Sequence, residues 1–153
     1  MHRLELKVIP IVVFVIAAIF IWLLDSFIPL IAVDSPTRYV FAGLCFCASG
    51  YFGLHAIWDF RKAKTTVHPT NPHNASSVVS SGVYRVSRNP MYLGLLLLLM
   101  CEGLVLGNVS MILGLWGFIA YMNRFQIIPE ERALEVRFGE EYLGYKISVR
   151  RWI

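Results

Sequence analysis

Charge is scarce in this chain. Only 16% of its 153 residues are Asp, Glu, Lys or Arg, where an ordinary soluble domain carries about a quarter. Cysteine is scarcer: Cys45, Cys47 and Cys101 are the whole supply, each inside an apolar run. That argues against a disulfide framework, and a Cys-x-Cys pair without His or further Cys makes a poor zinc site. The three read as small apolar fillers, and no metal is expected. No basic run is interleaved with exposed aromatics, so the net charge of +4 gives no reason to expect nucleic acid. Internal repeats and low-complexity tracts are absent too.

What the chain has in abundance is apolar side chains, 57% of the total, with a mean hydropathy of +0.61. The length allows one domain, over 1–153, and the hydropathy makes it a membrane domain. Crossing the hydrocarbon takes about 20 apolar residues as helix. Four segments qualify, 8–24, 39–60, 91–106 and 111–128, so the predicted fold is all-α and polytopic. The first segment is too long for a signal peptide, holds Pro10 near its start and lacks a small-residue cleavage site before Asp25. It is expected to be retained. The second is rich in Gly, Ala and Cys, which let helices approach closely. Only Gly107, Asn108, Val109 and Ser110 part the last two, which predicts an antiparallel hairpin. Arg61, Lys62, Lys64, Arg85 and Arg88 lie between the second and third segments with no acid among them. The positive-inside rule therefore puts both termini and the 61–90 loop in the cytosol.

From Pro129 onward the chain changes character. Pro129 suits the first position of a helix, Leu134 and Phe138 share a face, and Gly139 stops the helix. A second short helix then carries Tyr142, Tyr145 and Val149 on one side. Trp152 suits an anchor at headgroup level. The segment 129–153 reads as a cytosolic amphipathic element lying on the membrane or folded back over the loop.

Four polar features do not follow from crossing a membrane. "TTVHPTNPHN" at 65–74 has two prolines that forbid regular structure; it is either a plain linker or a loop folded over a ligand. "SGVYRVSRNPMY" at 81–92 puts Arg88 and Asn89 just before Pro90, at the start of the third segment. The free N–H groups and positive dipole end there suit a carboxylate; membrane anchoring by Arg85, Arg88, Tyr84 and Tyr92 is the plainer account. In "PEERALEVRFGEEY" at 129–142, Glu130 and Glu131 either favour the helix dipole or meet a cation or the hydroxyls of a ribose. Glu102, an acid inside the third segment, is a functional candidate by default or pairs with a Ser or Tyr of a neighbouring helix.

Taken in order, these pieces resemble the integral-membrane methyltransferases related to isoprenylcysteine carboxyl methyltransferase, which include phospholipid N-methyltransferases. Their pattern is a Gly-x-Tyr turn, then Arg-His-Pro-x-Tyr-x-Gly, a helical hairpin, a Glu-Glu pair, Phe-Gly and Tyr-x-x-Tyr. Here it falls on Gly82 and Tyr84, then Arg88, Asn89, Pro90, Tyr92 and Gly94, then Glu130 and Glu131, Phe138 and Gly139, and Tyr142 and Tyr145. The resemblance covers 67–152. It departs at Asn89, which stands where the family has histidine; an amide donates and accepts hydrogen bonds but takes no proton.

The resemblance implies S-adenosylmethionine as cofactor, held in a cytosolic pocket made from 65–92 and 129–153. His68, Pro69, Gly82, Tyr84, Arg88, Asn89, Pro90, Tyr92, Glu130 and Glu131 are the cofactor-binding candidates. Physical chemistry agrees: no Gly-rich turn follows a strand, so helix ends and loops must do the holding. Arg88 and the third helix's N-terminus suit a carboxylate, the Glu pair an ammonium or ribose, and Tyr84 and Tyr92 a sulfonium or adenine. Methyl transfer then needs in-line placement and exclusion of water rather than a covalent intermediate. Arg85 or Arg124 would orient an anionic acceptor. A lipophilic acceptor from the membrane is expected, with isoprenylcysteine-type carboxylate methylation leading. Phospholipid amine, small thiol and other lipophilic acids stay open. The small size points to a microbial cytoplasmic membrane. Two rival readings are a non-catalytic helical partner in a larger complex and a nicotinamide-dependent membrane reductase, for which the chain is short.

Overall fold

The computed structural model describes residues 5–27, 35–62 and 77–153. Its helices are α1 Pro10–Phe27, α2 Thr37–Lys62, α3 Pro90–Leu106, α4 Met111–Tyr121, α5 Ile128–Phe138 and α6 Glu140–Ser148. A short 3-10 turn, Gly82–Arg85, precedes α3, and a π-helical segment, Met122–Ile127, welds α4 to α5. The fold is all-α, as expected, and no strand occurs among the described residues.

Among the described residues, three helices are long and apolar enough to cross a membrane: Pro10–Phe27, Thr37–Lys62 and Met111–Phe138, with α3 a shorter apolar helix. The fourth expected span therefore does not stop before Pro129. It runs on as one 28-residue rod, roughly 40 Å long, against about 30 Å of hydrocarbon. Its apolar part, 111–128, accounts for the crossing. The remainder carries Glu130, Glu131, Arg132, Glu135 and Arg137, too many charges for a lipid-facing stretch.

α3 is the hub. Against α2 it packs through Gly94: a Cβ there would lie 3.3 Å from the Ser49 carbonyl, and Ser49 Oγ donates to Gly94 O at 2.8 Å. Against α1 and the α4 rod it packs Tyr92 and Leu99 into a core of Val13, Ala17, Ile21, Phe118, Met122 and Ile127. In lipid such contacts act through close van der Waals fit, because the tails are as apolar as the side chains. The outward faces carry Trp22, Phe46, Leu54 and Trp116, all exposed and suited to acyl chains. Glu102 lies four residues from the end of α3 and makes no ion pair or hydrogen bond among the described residues. The cysteines are free, as expected.

The π segment has a local cause. Pro129 has no N–H, and its ring would clash with the carbonyl four residues back, on Phe125. Buried positions on the rod step by four through Gly114, Phe118 and Met122, then fall on the adjacent pair Gln126 and Ile127, and from Ile127 step by four to Glu131. The extra residue is what one π turn inserts. The Phe125 carbonyl that Pro129 cannot serve accepts instead from Leu6 N–H at 3.0 Å. Glu5 then bridges Arg124 and Arg132 at 3.1 and 3.0 Å. The stretch before α1 is thus tied to the rod.

Candidate active site

A cavity of about 370 Å³ lies where the starts of α1 and α3 meet the end of α2 and the α5–α6 corner. Pro10 and Ile11 come from α1, Phe60 from α2, Met91, Tyr92 and Leu95 from α3, Leu134 from α5, and Tyr142 and Tyr145 from α6. Most of that wall is apolar or aromatic. The polar groups in it are few and organised in two sets.

In the first set, the Tyr92 hydroxyl donates to Glu130 Oε1 at 2.6 Å. Gln126, one turn earlier on the rod, donates its amide to the same oxygen at 2.6 Å and reaches the Tyr92 oxygen at 3.4 Å. Glu130 is the acceptor for both donors; burial pushes its pKa up to about 7, against the pull of these two hydrogen bonds. Its other oxygen has no partner among the described residues.

The second set is a clamp. Arg88 donates to Glu131 Oε1 at 2.8 Å and to the carbonyls of Lys146 and Val149 at 2.7 and 2.6 Å. Arg151 takes both oxygens of Glu131, at 3.0 and 2.8 Å, and the hydrogen bonds to that carboxylate raise its already high pKa. Lys146 sits 3.8 Å from Glu131 and pairs with Glu135. The segment after α6 crosses the start of α3: Arg88 N–H donates to Arg150 O at 3.0 Å, and the Asn89 amide to Arg151 O at 3.0 Å. Trp152 donates to Asn123 at 3.1 Å, which ties the chain's last residues to the rod.

The turn before α3 closes the third side. Gly82 sits at φ +58 with Asp59 directly against it, and Asp59 accepts from Val83 N–H at 3.2 Å. Only glycine takes that backbone without strain. Tyr84 is thereby swung inward, edge-on to Phe60 with ring centroids 5.2 Å apart, and its carbonyl accepts from the Tyr145 hydroxyl at 2.7 Å. Burial pushes the Tyr84, Tyr142 and Tyr145 phenols above their ordinary range. All three stay neutral, offering ring faces and hydroxyls.

The model of the family described as phospholipid methyltransferase matches residues 37–141, well over half of the chain. The chain belongs to the phospholipid methyltransferase family. An uncharacterized protein of Haemophilus influenzae (strain ATCC 51907 / DSM 11121 / KW20 / Rd) is 52% identical over 63 residues, 41% of this chain and the whole of that protein. No solved structure matches the chain. Family membership together with its apolar helices makes the protein a membrane methyltransferase.

In this methyltransferase, Tyr84, Arg88, Asn89, Pro90, Tyr92, Glu130 and Glu131 all line the one cavity. Gly82 shapes the turn behind it. His68 and Pro69 lie outside the described residues. Arg85 is exposed on the turn, and Arg124 pairs with Glu5; neither borders the cavity. Sequence reasoning missed Gln126, Arg151 and Asp59. Gln126 had a signal in its spacing, four residues before Glu130 on one helix face; the other two act across distant segments and had none.

Proposed function

We propose that this protein transfers a methyl group from S-adenosylmethionine to the amine of a membrane lipid. The observation that carries the reading is the charge left open in the cavity. Arg88 is the cation on the described wall, and both of its terminal nitrogens are held by Glu131 and by two carbonyls. The open charge belongs to Glu130. With Glu130 facing the cofactor's own ammonium, a neutral amine acceptor needs no cation, whereas a carboxylate acceptor of the isoprenylcysteine type, expected from the sequence, finds both terminal nitrogens of the one cation on the described wall already committed.

The residues fit the cofactor. The cavity volume falls within the roughly 300–1,000 Å³ of small-molecule sites. Tyrosine rings line it, and a sulfonium or ammonium is drawn to aromatic faces. The first N–H groups of α3 stand at the cavity wall as donors for the cofactor carboxylate. Glu130 would hold the ammonium or the ribose hydroxyls. When bound, the cofactor supplies a methyl already activated on a sulfonium.

The chain's own work is placement. Tyr84, Tyr142 and Tyr145 wall off water, so that an in-line approach is held and hydrolysis is suppressed. Ile9 and Ile11 line the cavity and are half-exposed at its edge, an entry for an acyl-chain-bearing acceptor from the lipid. The cavity lies beside α2's basic end, so we place it, and both termini, in the cytosol. Calorimetry in detergent tests the cofactor assignment. Saturable binding of S-adenosylmethionine is expected; no binding at millimolar cofactor in folded protein would overturn it.

A further inference from the structure

We infer that Gln126 is a positioning residue for Glu130: its amide pins Oε1 and leaves Oε2 for the occupant of the cavity. This rests on the cofactor reading above.

Gln126 is buried, 2% exposed, although an amide side chain at this place has no packing reason to be polar. A buried amide must be satisfied, and here its N–H meets Glu130 Oε1 at 2.6 Å. Its place follows from Pro129, which forces the extra residue of the π turn Met122–Ile127 and so sets 126–131 toward α3 rather than continuing the register of α4. Tyr92 alone would hold Oε1 by one bond and leave the carboxyl free to swing. Two donors on one oxygen fix it and favour its charged form, working against the burial that raises its pKa to about 7.

The other groups around Glu130 cannot reproduce the effect. Tyr92 from α3 is a neutral donor. Tyr84 from the turn and Tyr142 from α6 are held neutral by burial. Glu131, next on α5, is saturated by Arg88 and Arg151. The charge that a cationic ligand reads in this cavity is therefore that of Glu130.

The test is binding of S-adenosylhomocysteine, which keeps the ammonium and ribose but cannot react, measured calorimetrically from about pH 5 to 9 in detergent. Wild-type affinity should fall on the acid side as Glu130 takes up a proton. In Gln126→Leu, which keeps the volume and removes the donor, that fall should move to higher pH by about one unit. Gln126→Glu, which adds a second carboxyl, should move it further. A merely structural glutamine predicts affinity lowered evenly with the limb unmoved, and that result in either folded variant overturns the inference. If wild-type protein binds at no pH, the cofactor reading itself fails, a different outcome from wild-type binding with unmoved variants.

Discussion

Arg88→Met would release α6 from α3 without unfolding the helices in the membrane. Arg88 is largely buried, and so is Glu131, at 9% and 6% side-chain exposure. Met keeps the length of the stem and loses the charge and every donor. Glu131 is not orphaned, because Arg151 still holds both of its oxygens, so the 3–5 kcal/mol typical of a broken buried pair does not apply in full. What is lost outright is the pair of bonds to the Lys146 and Val149 carbonyls at the end of α6. At about 1.5 kcal/mol for each charged hydrogen bond, the total is about 3 kcal/mol, on the order of 100-fold in the equilibrium for local opening. The Tyr145 bond to Tyr84 and the Asn89 bond to Arg151 remain, so α6 loosens and returns rather than detaching. Amide hydrogen exchange in detergent reads this directly. Exchange over 140–151 should quicken by about that factor while α2 and α4 keep their protection. If α6 exchanges no faster in the variant, or if all helices exchange faster together, the clamp is not what holds α6 in place.

Three further outcomes follow from the same geometry. Tyr92→Phe removes one of the two donors on Glu130 and should weaken S-adenosylhomocysteine binding about tenfold by calorimetry; unchanged affinity would mean that Glu130 does not face the ligand. Gly82→Ala puts a Cβ 2.1 Å from Asp59 Oδ2 at φ +58 and should cost about 1–3 kcal/mol. The loss, read as the thermal midpoint in detergent, should be smaller in an Asp59→Ala background, and a double-mutant cycle without that coupling would refute the contact. Glu5→Gln breaks two pairs to half-exposed arginines, worth no more than about 1 kcal/mol each. It should quicken proteolysis before α1 at low salt and make little difference at high salt, where such pairs are screened.

Much of the fold was legible because membrane helices announce themselves. Apolar length marked α1 to α4, and four turn residues marked the hairpin. The cavity walls were legible because Tyr84, Arg88, Asn89, Pro90, Tyr92, Glu130 and Glu131 carry chemistry that lipid contact does not require. The π segment was not, because a helical pattern is read at a fixed 3.6-residue period and a single inserted residue shifts everything after it. Pro129 read as a helix start and does stand in the first turn of α5; that it also shifts the register of one continuous rod was not legible. Arg88 read as a ligand group. Two of its three partners are backbone carbonyls, which every residue has, so no side-chain pattern could reveal them. Glu131 read as a ligand as well, yet it holds α3, α5 and the chain's last residues together. Arg85 and Arg124 stood out as cations near the membrane, but which way a cation turns depends on partners such as Glu5, far away in sequence.

The central claim is methyl transfer to a lipid amine, and one measurement meets it directly. Purified protein in vesicles of phosphatidylethanolamine would be given S-adenosylmethionine carrying a labelled methyl, with prenylated cysteine as the competing acceptor. Label is expected on the nitrogen of the phospholipid headgroup, lost in Glu130→Ala. Label on the cysteine carboxylate alone, or equal transfer by Glu130→Ala, would contradict it.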